Sequence, residues 1–275
     1  MAKMKIGIQM WSINDICMQE GLPHAFRMIR DIGYEGFEFA LGDCATLEEK
    51  CGMPADQVKK AADDVGLQLL GTHLSFDHLM KDPNPIIAEC KELGLPYAAI
   101  GPAFWGDRTP FAEQKKIYQE VKKLAELFKK NGIQLQVHCS AFGYLRDHCG
   151  RHVVDGMFEE AGLENLQPEF DTAWMICGGV IPTVYLQKYA GYVDLLHFKD
   201  FHPPMEDSDY LMVRHNEVNE HHKGCAVGDN GIQDLSSIVA AAQKAGTKWV
   251  LVELWNESNS LENAEISLQN LQKYL

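Results

Sequence analysis

The chain has 275 residues, 46% of them hydrophobic and 23% charged, enough for one large buried core. A formal charge of −14 argues against a nucleic-acid groove or an anionic membrane surface as partner, since neither phosphate array attracts an acidic face. No apolar run approaches the ~20 residues of a membrane span, and Met1-Ala-Lys-Met-Lys5 leads straight into a strand, not a signal peptide. A soluble, cytoplasmic protein is expected.

Taken in order, Ile6–Met10 reads as a short strand, followed by a helical segment through Phe26, Ile29 and Ile32 that stops at Gly33. Tyr34–Phe39 alternates as a second strand. Val58–Val65 is helical and closed by Gly66, and a third strand, Leu67–Leu74, carries His73 near its end. Pro85–Leu93 is the next helix, and Tyr97–Ile100 the fourth strand, running towards Trp105. Phe111–Lys130 has a clear helical period through Ile117, Val121, Leu124, Ala125 and Phe128, and Asn131-Gly132 is a left-handed stop.

Ile133–His138 is the fifth strand, Pro168–Asp171 a short sixth, Val184–Tyr189 a helix and Val193–Phe198 the seventh strand. A long polar loop from Asp200 to Asn230 precedes the helix Asp234–Ala245. Trp249–Glu253 is the eighth strand, and a last helix begins near Ser260. Strand then helix, repeated eight times without a linker, describes a closed (β/α)8 TIM barrel in the α/β class, one domain over residues 1–275. The competing open doubly wound sheet usually shows a glycine-rich loop after its first strand, and none follows Met10.

In a barrel the carboxyl ends of the strands share one rim, where chemistry is assembled. Here the strands end on Glu38, His73, His138, Asp171, His197 and Glu253. The last four come from four consecutive barrel strands. Two imidazoles and two carboxylates suit a borderline divalent cation: Mn²⁺ first, with Zn²⁺, Mg²⁺ or Co²⁺ as alternatives. Taken singly, each has a blander reading; Asp171 before Thr172, for instance, is a good cap for a following turn. The eight cysteines contain no Cys-x-x-Cys pair and read as reduced, mostly buried thiols, Cys139 beside His138 included.

Four segments resemble the xylose-isomerase-like TIM-barrel superfamily of sugar-phosphate isomerases and epimerases. They are Asp171-Thr-Ala-Trp174, Leu196-His-Phe-Lys-Asp200, Val227-Gly-Asp-Asn-Gly231 and Val252-Glu253. The resemblance implies His138, Asp171, His197 and Glu253 as metal ligands, and Glu253 and His138 as the proton-transfer pair. It also implies a small-molecule sugar as substrate. The chain departs from the family at His138-Cys139-Ser140 and Gly143-Tyr144, where many members read His-Asn-His and then Glu-Phe.

Around that centre, Glu38, His73, Trp105, Trp174, Lys199 and His202 are candidate substrate contacts, with Trp11 as a further apolar wall. Lys199 either contacts a substrate oxygen or pairs with Glu38 or Asp200. The loop carrying His202, His215, His221 and His222 is long enough for a lid. An isomerase or epimerase working through an enediolate is expected. The alternatives are a lyase or dehydratase on an oxo-sugar, oxo-glycoside or inosose, and a non-catalytic sugar- or metal-binding barrel. Exposed barrel helices allow a homo-oligomer.

Overall fold

The computed structural model describes residues 3–101, 111–203, 223–255 and 259–275. Trp105, His215, His221 and His222 lie outside these residues.

Eight parallel strands close on themselves. They are β1 (Lys5–Gln9), β2 (Gly36–Ala40), β3 (Gln68–Leu74), β4 (Tyr97–Ile100), β5 (Gln134–His138), β6 (Leu166–Asp171), β7 (Leu195–Phe198) and β10 (Trp249–Val252). Each is followed by a principal helix: α1 (Leu22–Ile32), α2 (Ala55–Val65), α3 (Pro83–Leu93), α4 (Phe111–Lys130), α5 (Val153–Ala161), α6 (Pro182–Lys188), α7 (Leu235–Ala245) and α8 (Ser260–Gln272). This is the (β/α)8 TIM barrel. No described helix is long and apolar enough to cross a membrane.

The differences from the sequence reading have local causes. Helix α5 is unannounced because Val153, Val154, Met157, Phe158 and Ala161 are all buried, as are Asp155 and Gly156 between them, so no polar face marks a helical period. Helix α6 starts two residues earlier than expected, with Pro182 at its first position, where a missing N–H costs nothing. Within the expected Asp200–Asn230 loop, β8 (Asp200–Phe201) and β9 (Gly224–Cys225) pair antiparallel.

Strand alternation sorts the apolar residues into two cores. Phe37, Phe39, Val137, Phe170, Leu196, Phe198, Val250 and Val252 face outward into the main cluster shared with the helices. Leu70, Leu195, Trp249 and Leu251, backed by Tyr97, form a separate cluster that plugs the barrel interior. Two residues further along the same strand faces, the plug gives way to His197 in β7 and to Glu253 just past β10. The period of two thus stacks an apolar floor beneath a polar rim.

Gly36 makes room for that floor. A Cβ there would lie 2.7 Å from the Gln68 carbonyl oxygen and 3.0 Å from the Trp249 ring. Gly36→Ala should therefore lower the unfolding free energy by about 1–3 kcal/mol, the usual cost of overpacking. Urea denaturation checks this; an unchanged midpoint would show that the floor yields freely.

Candidate active site

His138, Asp171, His197 and Glu253 converge at the carboxyl end of the barrel. Each offers a ligand atom within 4.8 Å of the others, and all four residues are nearly or wholly buried. The Nδ1 of His197 lies 2.8 Å from Glu253 Oε2, and the Nε2 of His138 lies 3.4 Å from the same oxygen and 3.8 Å from Asp171 Oδ2. The three rings of His73, His138 and His197 stand with centroids 4.6–5.2 Å apart.

Asp171 divides its work. Its Oδ1 accepts from the Trp174 N–H at 2.9 Å and caps the short helix Thr172–Cys177, so the blander reading of this residue is also correct. Its Oδ2 is buried without a hydrogen-bond partner, and so is His138 Nε2. Orphaned buried atoms of this kind call for an ion or an ordered water. A mixed nitrogen and oxygen donor set around one point fits a borderline divalent cation.

Below this rim set lies a second layer. Glu38 and Glu169 are wholly buried. His73 Nε2 is 2.9 Å from Glu169 Oε2 and 3.0 Å from Glu38 Oε2, while His197 Nε2 is 3.0 Å from Glu38 Oε2 and 3.6 Å from Glu169 Oε1. Burial alone would depress the His73 pKa, but the Glu38 and Glu169 carboxylates outweigh it and raise it to about 10. His197 is likewise held well above the ordinary histidine range against its burial, chiefly by Glu169. Burial alone would push the Glu169 and Glu253 carboxyls up. The neighbouring His197 and His73 nevertheless hold Glu169 well below the usual carboxylate range, and Lys199 with His138 and His197 does the same for Glu253.

Lys199 is 1% exposed. Its Nζ donates to Glu253 Oε1 at 2.8 Å, lies 3.5 Å from Asp171 Oδ2, and sits 5.1 Å from the ring centres of both Trp174 and Trp255. The pairing expected with Glu38 or Asp200 is therefore corrected. Glu38 is engaged by the two histidines. Asp200 instead accepts from the backbone N–H groups of Phe201, Gly228 and Ile232, pinning the Val227–Ile232 turn.

A cavity of about 610 Å³ opens above the rim, lined among others by Gln9, Trp11, His73, His138, Ser140, Trp174, Lys199, Glu253 and Trp255. Two of the candidate substrate contacts lie elsewhere. Glu38 is sealed beneath His73, and His202 is exposed; neither lines the cavity. Burial pushes the Cys139 thiol far up, which leaves it a packed apolar group and not a nucleophile. Gly143 has no room for a side chain: a Cβ would lie 2.7 Å from Cys139 Cβ and 2.8 Å from Val154.

Sequence reasoning passed over two residues with detectable signals. Glu169 lies two positions before Asp171, on the same strand face. Trp255 lies two positions after Glu253, where the same alternation carries it to the rim.

A family model described as xylose isomerase-like TIM barrel matches residues 26–274, and the chain belongs to that family. Among solved structures it is similar to a sugar phosphate isomerase/epimerase from Parabacteroides distasonis ATCC 8503, with 19% identity, a TM-score of 0.78 and 98% of each chain covered. The 3-keto-D-glucoside 4-epimerase of E. coli gives 17% identity and a TM-score of 0.72, covering 98% of this chain and all of the other. The IOLI protein with a binding zinc atom gives 14% identity and a TM-score of 0.74, with 99% of each chain covered. Likeness at these identities establishes the fold. No curated protein matches the sequence significantly.

The raised His73 pKa has a signed consequence for the chelated protein. Its contribution to stability is present in full below the ordinary histidine pKa of about 6.5 and is lost as pH rises through about 10. The melting temperature of EDTA-treated protein should therefore fall more steeply between pH 7 and 10 in the wild type than in His73→Gln. Parallel profiles would contradict this reading.

Proposed function

We propose that the chain is a divalent-metal-dependent isomerase or epimerase of a small sugar or keto-sugar. The reading is carried by the convergence of His138, Asp171, His197 and Glu253, of which His138 and Glu253 line a cavity that Trp11, Trp174 and Trp255 also line. These four residues would hold the ion, Mn²⁺ first and Zn²⁺, Mg²⁺ or Co²⁺ otherwise. When bound, such an ion supplies Lewis acidity to vicinal substrate oxygens and stabilises developing enediolate charge.

The chain's own groups do the rest. Glu253 is ionised throughout the neutral range, so it can accept the proton from the carbon beside the carbonyl. His138 is its partner in proton transfer when its Nε2 is not holding the ion, since one ring nitrogen cannot do both; His73, on the cavity wall, takes the role otherwise. Lys199 holds Glu253 by one oxygen only, which leaves the other directed at the site. The indole faces offer an apolar surface on which a sugar ring stacks, and their walls exclude water from the reacting carbon.

A second reading, elimination from an oxo-sugar, oxo-glycoside or inosose, shares the proton abstraction. It is favoured by the departures on the β5 side, where Ser140 lines the cavity and Gly143 excludes a glutamate. Incubating Mn²⁺-loaded protein in D₂O with ketoses, inososes and 3-oxo-glucosides separates the two. Deuterium at one carbon with otherwise unchanged composition is expected for isomerisation, and loss of water or aglycone for elimination. Exchange with no substrate would reduce the chain to a binding barrel.

Glu253→Gln should lower the rate of exchange by about 10²–10⁴-fold, the range for loss of a positioned base. Lys199→Met, which frees the second Glu253 oxygen and leaves Asp171 less compensated, should reduce kcat with a smaller change in KM. Steady-state kinetics on the substrate found in D₂O reads both variants; a Glu253→Gln enzyme of normal rate would remove this residue from the chemistry.

A further inference from the structure

We propose that Glu38, His73, Glu169 and His197 form a second divalent-cation site beneath the rim, closed off from the substrate cavity except at His73. It shares His197 with the rim cluster of the proposed function, but its other three donors are its own.

The alignment of the donors is the first argument. His73, Glu38, Glu169 and His197 offer ligand atoms within 4.8 Å of one another. Of the close contacts among them, only His73 Nε2 to Glu169 Oε2, at 2.9 Å, has hydrogen-bond geometry. His73 Nε2 to Glu38 Oε2 and His197 Nε2 to Glu38 Oε2 are each 3.0 Å, yet both oxygens of Glu38, one of Glu169 and the His197 Nε2 have no hydrogen-bond partner. Atoms this close but turned off each other's axes are what ligands around a common centre present, since each lone pair aims at the centre and not at its neighbour. Were a proton on His73 the only link between the carboxylates, Glu38 would be expected to share an aligned bond.

Burial is the second argument. Glu38, Glu169 and His197 are each 0% exposed. Two carboxylates sealed in a barrel need a compensating charge of +2; protonated His73 and His197 supply it in the ion-free protein, and one divalent ion supplies it in their place once those protons leave. Two carboxylate oxygens and two ring nitrogens are donors that zinc accepts, in the number that its tetrahedral coordination takes. His197 faces both centres, with Nδ1 2.8 Å from Glu253 and Nε2 3.0 Å from Glu38. Occupancy of both sites makes His197 a bridging imidazolate: its two ring N–H protons leave to solvent, one as each ion binds, and each nitrogen keeps a lone pair for one ion.

The test uses the full chain stripped with chelator, reloaded with Zn²⁺, dialysed and counted by plasma mass spectrometry. Wild type should hold about two ions per chain, and Glu169→Gln and Asp171→Asn about one each. Asparagine retains the cap on the Trp174 N–H, so its effect reads the rim alone. If wild type and Glu169→Gln hold the same number, the lower site is overturned. A single wild-type ion lost in Asp171→Asn and kept in Glu169→Gln leaves the rim reading standing without this one. The reverse pattern sustains the lower site and removes the rim. Should Glu169→Gln fail to fold, fully Mn²⁺-loaded wild type supplies the readout. Its electron paramagnetic resonance spectrum should show spin coupling between two ions, and a spectrum of isolated Mn²⁺ overturns the proposal.

Discussion

The structure depends on the cost of holding four carboxylates inside one barrel. Glu38, Glu169, Asp171 and Glu253 are all at least nine-tenths buried, and taking a carboxylate out of water costs several kcal/mol even after relaxation. The barrel meets this cost with cations at fixed positions. Lys199 spans Glu253 and Asp171, and His73 and His197 stand against Glu38 and Glu169. The polar heart of the protein is therefore dense in charge, and its geometry is set by which group neutralises which.

The apolar floor is the other half of the arrangement. Leu195, Trp249 and Leu251 close the barrel below, so the charged layers above them have no aqueous escape in that direction. Electrostatic interactions are strong in such a medium, where few solvent dipoles can reorganise. A substrate entering the cavity above would meet groups already oriented by one another. Preorganisation of this kind is what lets a site stabilise developing charge at little further cost.

Much of this was legible in the sequence because strand alternation is a hard rule. His138, Asp171, His197 and Glu253 each stand at or just past the carboxyl end of a strand, and the structure brings all four to one point. Lys199 was visible as a rim group, but its partners were not, because pairing across a barrel depends on the stagger of strands far apart in sequence. Glu169 went unread for a different reason. It stands between Pro168 and Phe170 in a segment where Asp171 drew the attention, although alternation puts it on the same face. Helix α5 shows the opposite limit: a helix buried on nearly every side loses the pattern by which helices are detected.

Asp171 links the fold to the site through a single side chain. One oxygen starts a helix and the other faces the charged centre, so the two duties cannot drift apart under mutation. Lengthening the residue to glutamate keeps the charge but displaces the cap, and asparagine keeps the cap but discards the charge. Substitutions that spare one role damage the other, which leaves this position a far narrower range of viable neighbours than its surroundings. Variation in this barrel is correspondingly channelled towards neighbours such as Ser140, which lines the cavity and caps no helix with its side chain.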